Sequence, residues 1–314
     1  MSRFEANVFA QPGLIADALR APAPAWLKPP RGRKIFFVGV GSNHHAARIA
    51  AWLWSGAGFD ARAVHAYDFV SRPYRLSRGD LGVFLSHRGG AGSYTVKAEA
   101  RARRSGATTV AVCGVGAVWK GPQRRLETCA LEDTGAFTKS FTTTLAWLLR
   151  WTGRPALLAP FSRSAASLSW GPASPTVSAG TDLVLLGDGL REWVACETAL
   201  KLLETAHLRA RAYGLEEFLH GPQVSAGEGS YVIAFSSSEE PRWQAARDYL
   251  ATIGVPLLEG RADSVGLSDE GGWLWQIFWG QRLAAEICGW LGQDPDTLRT
   301  QDARYQRAWE ALKK

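Results

Sequence analysis

The sequence predicts an α/β protein made of two similar units, each a parallel sheet flanked by helices. Three observations carry this. Apolar runs rich in Val, Ile and Phe alternate with segments of helical period, the pattern of a parallel sheet covered on both faces. The alternation fades between Gly153 and Gly180, where Ser, Pro and Ala are prominent, and then restarts. Both units also open with an apolar strand ending in G-x-G, VGVGS in the first and LLGDG in the second.

In the first unit, KIFFVGVG (Lys34–Gly41) has the composition of a buried strand, and HHAARIAAWLW after it that of a helix. RAVHAY (Arg62–Tyr67) and LGVFLSH (Leu81–His87) follow as strands, then a helix near Thr95–Arg104. TTVAVCG (Thr108–Gly114) and a short run near Thr128–Leu131 complete the sheet before a helix from Thr138 to Trp151. The second unit repeats the theme. TDLVLLGDG (Thr181–Gly189) leads into a helix from Arg191 to His207, YVIAFSS and GVPLLEG are strands flanking a helical PRWQAARDYLAT, and a long helix runs from Leu274 to Leu291. The expected boundaries are an N-terminal extension over 1–33, the first domain over 34–152, a linker over 153–180, the second domain over 181–293 and a polar tail over 294–314.

Composition narrows the function. The chain of 314 residues is long enough for two domains with cores of their own. Its 46% hydrophobic and 21% charged residues fit a globular protein, and burial accounts for most of its 14 tryptophans. No run of about 18 or more apolar residues marks a spanning helix, and MSRFEANVFAQPG lacks the basic-then-apolar layout of a signal peptide. Cys113, Cys129, Cys196 and Cys288 lie far apart without metal-ligand spacing, as in small buried thiols of a reducing cytoplasm, where the protein is expected. A net charge of +7 admits nucleic acid or anionic metabolites as partners. The arginines are dispersed and no nucleic-acid-binding motif accompanies them, which favours phosphate-bearing small molecules. Strand–Gly–helix entries point the same way, because they set backbone N–H groups and a helix N-terminus at the carboxyl edge of the sheet. Neither entry completes GxGxxG, so no dinucleotide site is expected.

The chemistry-bearing stretch is CETALKLLE (Cys196–Glu204), running on to EEFLHGP (Glu216–Pro222). Glu197, Lys201 and Glu204 fall at i, i+4 and i+7, within one narrow arc of a helix. Cys196, Ala199 and Leu203 point away from that arc toward a core. On spacing alone the three charges form a solvated stripe worth a few tenths of a kcal/mol, and His220 is a hydrogen-bonding histidine in a Gly-Pro turn.

With GVGSNHHAA, FLSHRGG, FTKSFTTTLAWLL and ETALKLLETAHLRARAYGLEEFLHGP in place, the chain resembles the double sugar-isomerase (SIS) domain proteins. The likeness is to the isomerase half of the glutamine–fructose-6-phosphate amidotransferases, and it spans Lys34 to Leu298. It implies two flavodoxin-like domains, no cofactor and no metal. It also implies a homodimer with a shared sugar-phosphate site, and partners that include neither nucleic acid nor membrane. The resemblance reverses the stripe: Glu204 becomes the general base and acid that carries a proton between C1 and C2. Lys201 stabilises an oxyanion or tunes the carboxylates, Glu197 positions Lys201 or a C1 amine, and His220 assists ring opening from the neighbouring subunit. Gly41, Ser42 and Asn43 fall on the first Gly-rich turn, and Gly135 and Ala136 on a segment whose backbone lines the sugar pocket.

Three departures qualify the resemblance. The phosphate loop, SHRGGAGSYT (Ser86–Thr95), keeps Ser86 and Gly89 but follows His87 with Arg88 where the family has a hydroxyl, leaving Ser93 and Thr95 as substitutes. Arg88 offers phosphate a charge-assisted, bidentate contact, or it excludes the usual ligand. The tail, DPDTLRTQDARY, offers Arg299 where the family supplies a Schiff-base lysine, and Lys313 and Lys314 are too near the end to serve. No glutaminase is expected, since Ser2 and not a cysteine follows Met1. The functional expectation is an isomerase or deaminase of a keto- or amino-hexose phosphate, with a non-catalytic sugar-phosphate sensor as the alternative.

Overall fold

The structure is a computed structural model that describes residues 1–28, 32–72, 74, 76–162, 177–237 and 240–312. Two parallel sheets face a shared layer of helices. The first contains β1 (Lys34–Gly39), β2 (Asp60–His65), β3 (Leu81–Leu85), β4 (Thr108–Val115) and β5 (Arg124–Ala130), in the order β2-β1-β3-β4-β5. The second contains β6 (Asp182–Gly187), β7 (Arg209–Gly214), β8 (Ser230–Phe235) and β9 (Leu257–Glu259), in the order β7-β6-β8-β9. Every pairing in both sheets is parallel. In each, the chain leaves its first strand, pairs the next on one side and the third on the other. The crevice at the carboxyl ends of β1 and β3, and of β6 and β8, is therefore the switch point at which such sheets take ligands.

The helices are α1 (Arg3–Arg20), α2 (Ser42–Gly56), α3 (Ala66–Ser71), α4 (Tyr94–Arg104), α5 (Lys139–Trp151), α6 (Arg191–Thr205), α7 (Leu215–Phe218), α8 (Arg242–Thr252), α9 (Asp269–Trp290) and α10 (Ala303–Leu312). Strand alternation decides which core each side chain joins. Phe36, Val38, Phe84 and Ala111 pack outward with Ala98, Ala102 and Trp119. Ile35, Phe37, Val83 and Val110 face inward. On the second sheet Val184, Leu186 and Val232 pack outward with Trp243 and Leu250, while Leu183, Leu185 and Ile233 face inward. The inward faces share one large cluster with α2, α5, α6 and α9, so the two units are joined by a common apolar core. Within it α2 packs on α6 and α6 on α9.

Several elements differ from the sequence expectation, each for a local reason. The extension over 1–33 contains α1, opened by a capping box in which Ser2 Oγ accepts the Glu5 N–H and the Glu5 carboxylate accepts the Ser2 N–H. Phe4, Val8, Ile15 and Ala18 bury its inner face. Ala66 and Tyr67, expected to end a strand, begin α3 instead. The sheet's last strand starts earlier, at Arg124. β7 escaped notice because Arg209 and Arg211 interrupt any apolar alternation along an edge strand whose residues are half-buried or exposed. The helix after β6 stops at Thr205, and His207 takes a left-handed φ of 55°. α9 starts at Asp269, and the polar tail contains α10. Of the expected linker, residues 163–176 lie outside the described residues, and Pro155–Ser162 form a 3-10 helix.

The α6–α9 contact depends on Gly280, where a Cβ would lie 2.1 Å from Thr198 Oγ1 and 3.2 Å from Phe235 Cε1. Neither neighbour sits on a flexible end with room to retreat. Gly280→Ala is expected to destabilise the fold by about 1–3 kcal/mol through overpacking, read as a lower thermal midpoint, and an unchanged midpoint would refute this close packing.

Candidate active site

The site forms where α2 of the first unit meets α6 of the second. Ser42, at the start of α2, donates its Oγ hydrogen to Glu197 Oε1 at 2.9 Å, and His45 Nδ1 lies 2.9 Å from Glu197 Oε2. Lys201 Nζ stands 3.5 Å from Glu197 Oε1 and 2.5 Å from Glu204 Oε2. The side chains of Glu197 and Lys201 are 1% and 0% exposed, and that of Glu204 is 27% exposed. The solvated-stripe expectation is thereby overturned: the arc turns inward, against the other unit. Leu203, expected in a core, is the 46% exposed residue. The helix is inverted relative to a surface helix because it is packed between two units rather than on the rim of one.

A lysine ammonium carried into a protein interior loses several kcal/mol of hydration unless it is paired. Here burial pulls the Lys201 pKa down, and the charges of Glu197 and Glu204 outweigh it, holding the net value above the ordinary lysine value. Burial pushes the Glu204 carboxyl above the ordinary glutamate value, with Glu197 adding to that and Lys201 only partly offsetting it. Lys201 is thus a fixed cation spent on two carboxylates, and Glu204 is the member of the group that meets solvent.

Gly41 takes φ +56° at the turn into α2, and its carbonyl accepts the N–H groups of His44 and His45. Asn43 packs against Gly39, where a Cβ would lie 2.6 Å from the Asn43 backbone. His44, partly buried and beside Arg48 and His65, has its pKa lowered to about 4 by burial first and by those charges next. In the loop after β3, Ser86 Oγ accepts the Gly89 N–H at 3.3 Å. Gly89 sits at φ +62° with Trp119 where a Cβ would go. His87 is buried, its Nε2 accepts the Glu132 N–H at 2.8 Å, and burial lowers its pKa, which keeps it neutral. Arg88 is exposed, lies 5.1 Å over the Phe137 ring and donates to the carbonyls of Glu132 and Thr134 at 3.3 and 3.4 Å. Ser93 Oγ accepts the Val96 N–H as the cap of α4, and Thr95 is buried in its first turn.

Glu132 and His45 are the polar residues that sequence reasoning missed. Glu132 is buried and accepts the N–H groups of Thr138 and Ser140, both at 2.9 Å, so it fixes the start of α5 after Gly135 and Ala136. A lone carboxylate ahead of a Thr/Ser-rich helix start was its one signal. His45 gains its partner, Glu197, only through the packing of α2 on α6.

The tail closes over this region. Asp296 accepts the N–H groups of Arg3 and Phe4 at 2.9 and 2.8 Å, capping α1. Leu298 packs with Phe4, Val8, Ala136 and Ala285 and covers Gly135, where a Cβ would lie 2.3 Å from Leu298 Cδ1. Between the end of α6 and α10 lies a cleft of about 460 Å³ with Glu204, His207, Arg299, Tyr305 and Trp309 on its walls. Lys313 and Lys314 lie outside the described residues. His220 is not brought to this group within one chain. Its side chain is 66% exposed, and its described polar partner is Glu216, through the carbonyl at 2.9 Å and the carboxylate at 3.4 Å.

The second unit's own crevice differs from the first. Asp188 of LLGDG accepts the Ser237 N–H at 3.1 Å, the Ser237 hydroxyl at 2.9 Å and the Trp243 Nε1–H at 2.8 Å, with Arg191 3.6 Å away. A carboxylate of the chain itself therefore satisfies the donors that an anionic ligand would otherwise meet.

Residues 31–149 match the sequence pattern of the SIS domain family. The chain is 25% identical over 290 residues to the glutamine–fructose-6-phosphate aminotransferase (isomerizing) of Aquifex aeolicus, covering 84% of this chain and 48% of that protein. It is 30% identical over 232 residues to the enzyme of the same name from Acidithiobacillus ferridurans, covering 66% of this chain and 38% of that protein. The chain thus spans less than half the length of these curated relatives. Among solved structures, it superposes on the C-terminal domain of glucosamine-fructose-6-phosphate aminotransferase from Francisella tularensis with a TM-score of 0.76, 18% identity and coverage of 94% and 98% of the two chains. Glucosamine-6-phosphate deaminase from Thermotoga maritima gives 0.78 at 18% identity, covering 94% and 97%. Tagatose-6-phosphate ketose/aldose isomerase from Escherichia coli gives 0.71 at 21%, covering 94% and 95%. These structures agree on the fold.

Replacing Lys201 tests the buried network. In Lys201→Met two carboxylates are left without their cation, which is expected to cost about 3–5 kcal/mol at neutral pH. Burial already raises the Glu204 carboxyl and Lys201 is what offsets it; without the lysine the native state binds more protons than the unfolded one, so stability falls as pH rises. The gap in thermal midpoint between parent and variant should widen from pH 5 to pH 8. A gap that is constant or narrows would show that the charges are not coupled.

Proposed function

We propose that this chain, a SIS-domain protein, is an enzyme that moves a proton between adjacent carbons of a keto- or amino-sugar phosphate. The reaction is of the aldose–ketose isomerase or amino-sugar-phosphate deaminase type. The observation that supports it most directly is Glu204: a carboxylate whose pKa burial holds above the ordinary glutamate value, hydrogen-bonded to a fixed ammonium, on the wall of a cleft of hexose-phosphate size. A carboxylate of this kind can take a proton from one carbon and return it to the next.

On this reading Glu197, held by Ser42 and His45, fixes Lys201, and Lys201 aims Glu204. The ammonium has no face left for substrate, so it acts on the carboxylates rather than on a sugar oxygen. The phosphate lies at the loop of Ser86 to Gly89, where Arg88 replaces the hydroxyls: Ser86 is bonded to Gly89, Ser93 caps α4 and Thr95 is buried. His220 opens the sugar ring from a second copy of the chain, consistent with its exposure here. The spent hydroxyls of the phosphate loop also favour a second reading, a sugar-phosphate sensor that binds without turnover.

Glu204→Gln is expected to lower solvent-proton exchange at C1/C2 of a hexose phosphate by about 10²–10⁴-fold while leaving sugar binding intact. Exchange at the parent rate would remove Glu204 from the mechanism, and binding without exchange in the parent itself would support the sensor. Arg88→Ala should weaken phosphorylated sugars and spare unphosphorylated ones. Equal losses for both would separate Arg88 from the phosphate.

A further inference from the structure

Three non-glycine residues among the described chain have positive φ: His207 at 55°, Leu298 at 43° and Arg299 at 56°. All three line the cleft on whose wall Glu204 lies. Side chains in the left-handed region cost free energy and persist where the surroundings over-determine them, commonly at ligand sites. Here the surroundings are visible. Asp296 is tied to the first turn of α1, Leu298 is driven into the pocket over Gly135, and two successive left-handed residues then turn the chain so that Arg299, itself exposed, lines the cleft. Arg299 donates to the Tyr305 hydroxyl and lies 5.0 Å over that ring. The two acidic residues nearest in sequence are held elsewhere, Asp296 by Arg3 at 3.4 Å and Asp302 by Arg304 at 2.8 Å.

The reaction proposed above leaves one task unfilled. When Glu204 takes the proton from the carbon beside the carbonyl, the C–H electron pair becomes the C=C bond and the carbonyl π pair moves onto oxygen. That oxygen is now an enediolate and needs a cation or donor. Lys201 cannot supply it, being wholly buried and shared between two carboxylates. We propose that Arg299 is the residue that binds the oxyanion at the reacting end of the substrate, and that it confers a preference for ligands carrying a negative charge there. A guanidinium presents a fork of N–H donors suited to such an oxygen or to a carboxylate. This assignment rests on the sugar-phosphate reading and adds to it a second anion-recognising end, distinct from the Arg88 loop.

The test compares two ligands that differ only in charge at C1, gluconate 6-phosphate and glucitol 6-phosphate, by calorimetric affinity to the full chain. The parent should bind the acid at least ten-fold more tightly than the alcohol. Arg299→Ala should abolish that ratio, and Arg299→Lys, which keeps the charge and protects the test if the alanine variant misfolds, should retain part of it. Arg88→Ala should weaken both ligands alike and leave the ratio in place. A ratio preserved in both Arg299 variants, or absent in the parent, overturns the role of Arg299 while leaving Glu204 and its exchange reaction untouched. If neither compound binds the parent, the sugar-phosphate reading itself fails and this assignment falls with it.

Discussion

The arrangement depends on a lysine that has no water. Lys201 is wholly buried between Glu197 and Glu204, and an ammonium in that position is tolerable only if both carboxylates stay in reach. Glu197 stays in reach because Ser42 and His45 of the other unit hold its two oxygens. The register between α2 and α6 is therefore set by polar groups as well as by the apolar core around them. A slip of one helix over the other would break the Ser42 and His45 bonds and leave a buried charge cluster short of partners.

Two sheets of like topology supply the frame, and their crevices differ. Both units have a G-x-G turn at the carboxyl edge of the sheet. In the second, Asp188 turns back on Ser237, Trp243 and Arg191, so the crevice is satisfied by the chain itself. In the first, the same turn carries Ser42, whose hydroxyl crosses to the second unit. The first copy contributes an open loop and a crossing contact, while the second contributes the charged helix. The tail then closes over this region, linking α1 through Asp296 and the segment of Gly135 and Ala136 through Leu298.

Much of the fold was legible because buried parallel strands announce themselves. KIFFVG, LGVFL and DLVLLG are continuous apolar runs between glycines, and all three are central strands. β7 was not legible, since an edge strand reading RARAYG has no apolar face to show. α1 had a visible capping box, Ser2 to Glu5, whose meaning depends on the core it packs against. The positions of Glu197, Lys201 and Glu204 on one arc could be read from spacing, but the direction of that arc could not, because an amphipathic pattern does not say whether a polar face meets water or another domain. His45 and Glu132 were hidden for the same reason: their partners are far away in sequence. Arg299 appeared only as a missing lysine until the backbone of the tail set it on the wall of the cleft that Glu204 also lines.

The central claim is that a partly buried, lysine-flanked glutamate works as both base and acid. Its most direct test is a carboxyl ¹³C NMR titration of Glu204 in the unliganded protein. The account predicts a midpoint above that of an ordinary glutamate, with burial prevailing over the pull of Lys201. A midpoint at or below the ordinary value would mean that the ion pair prevails, leaving Glu204 a structural carboxylate and not a proton carrier.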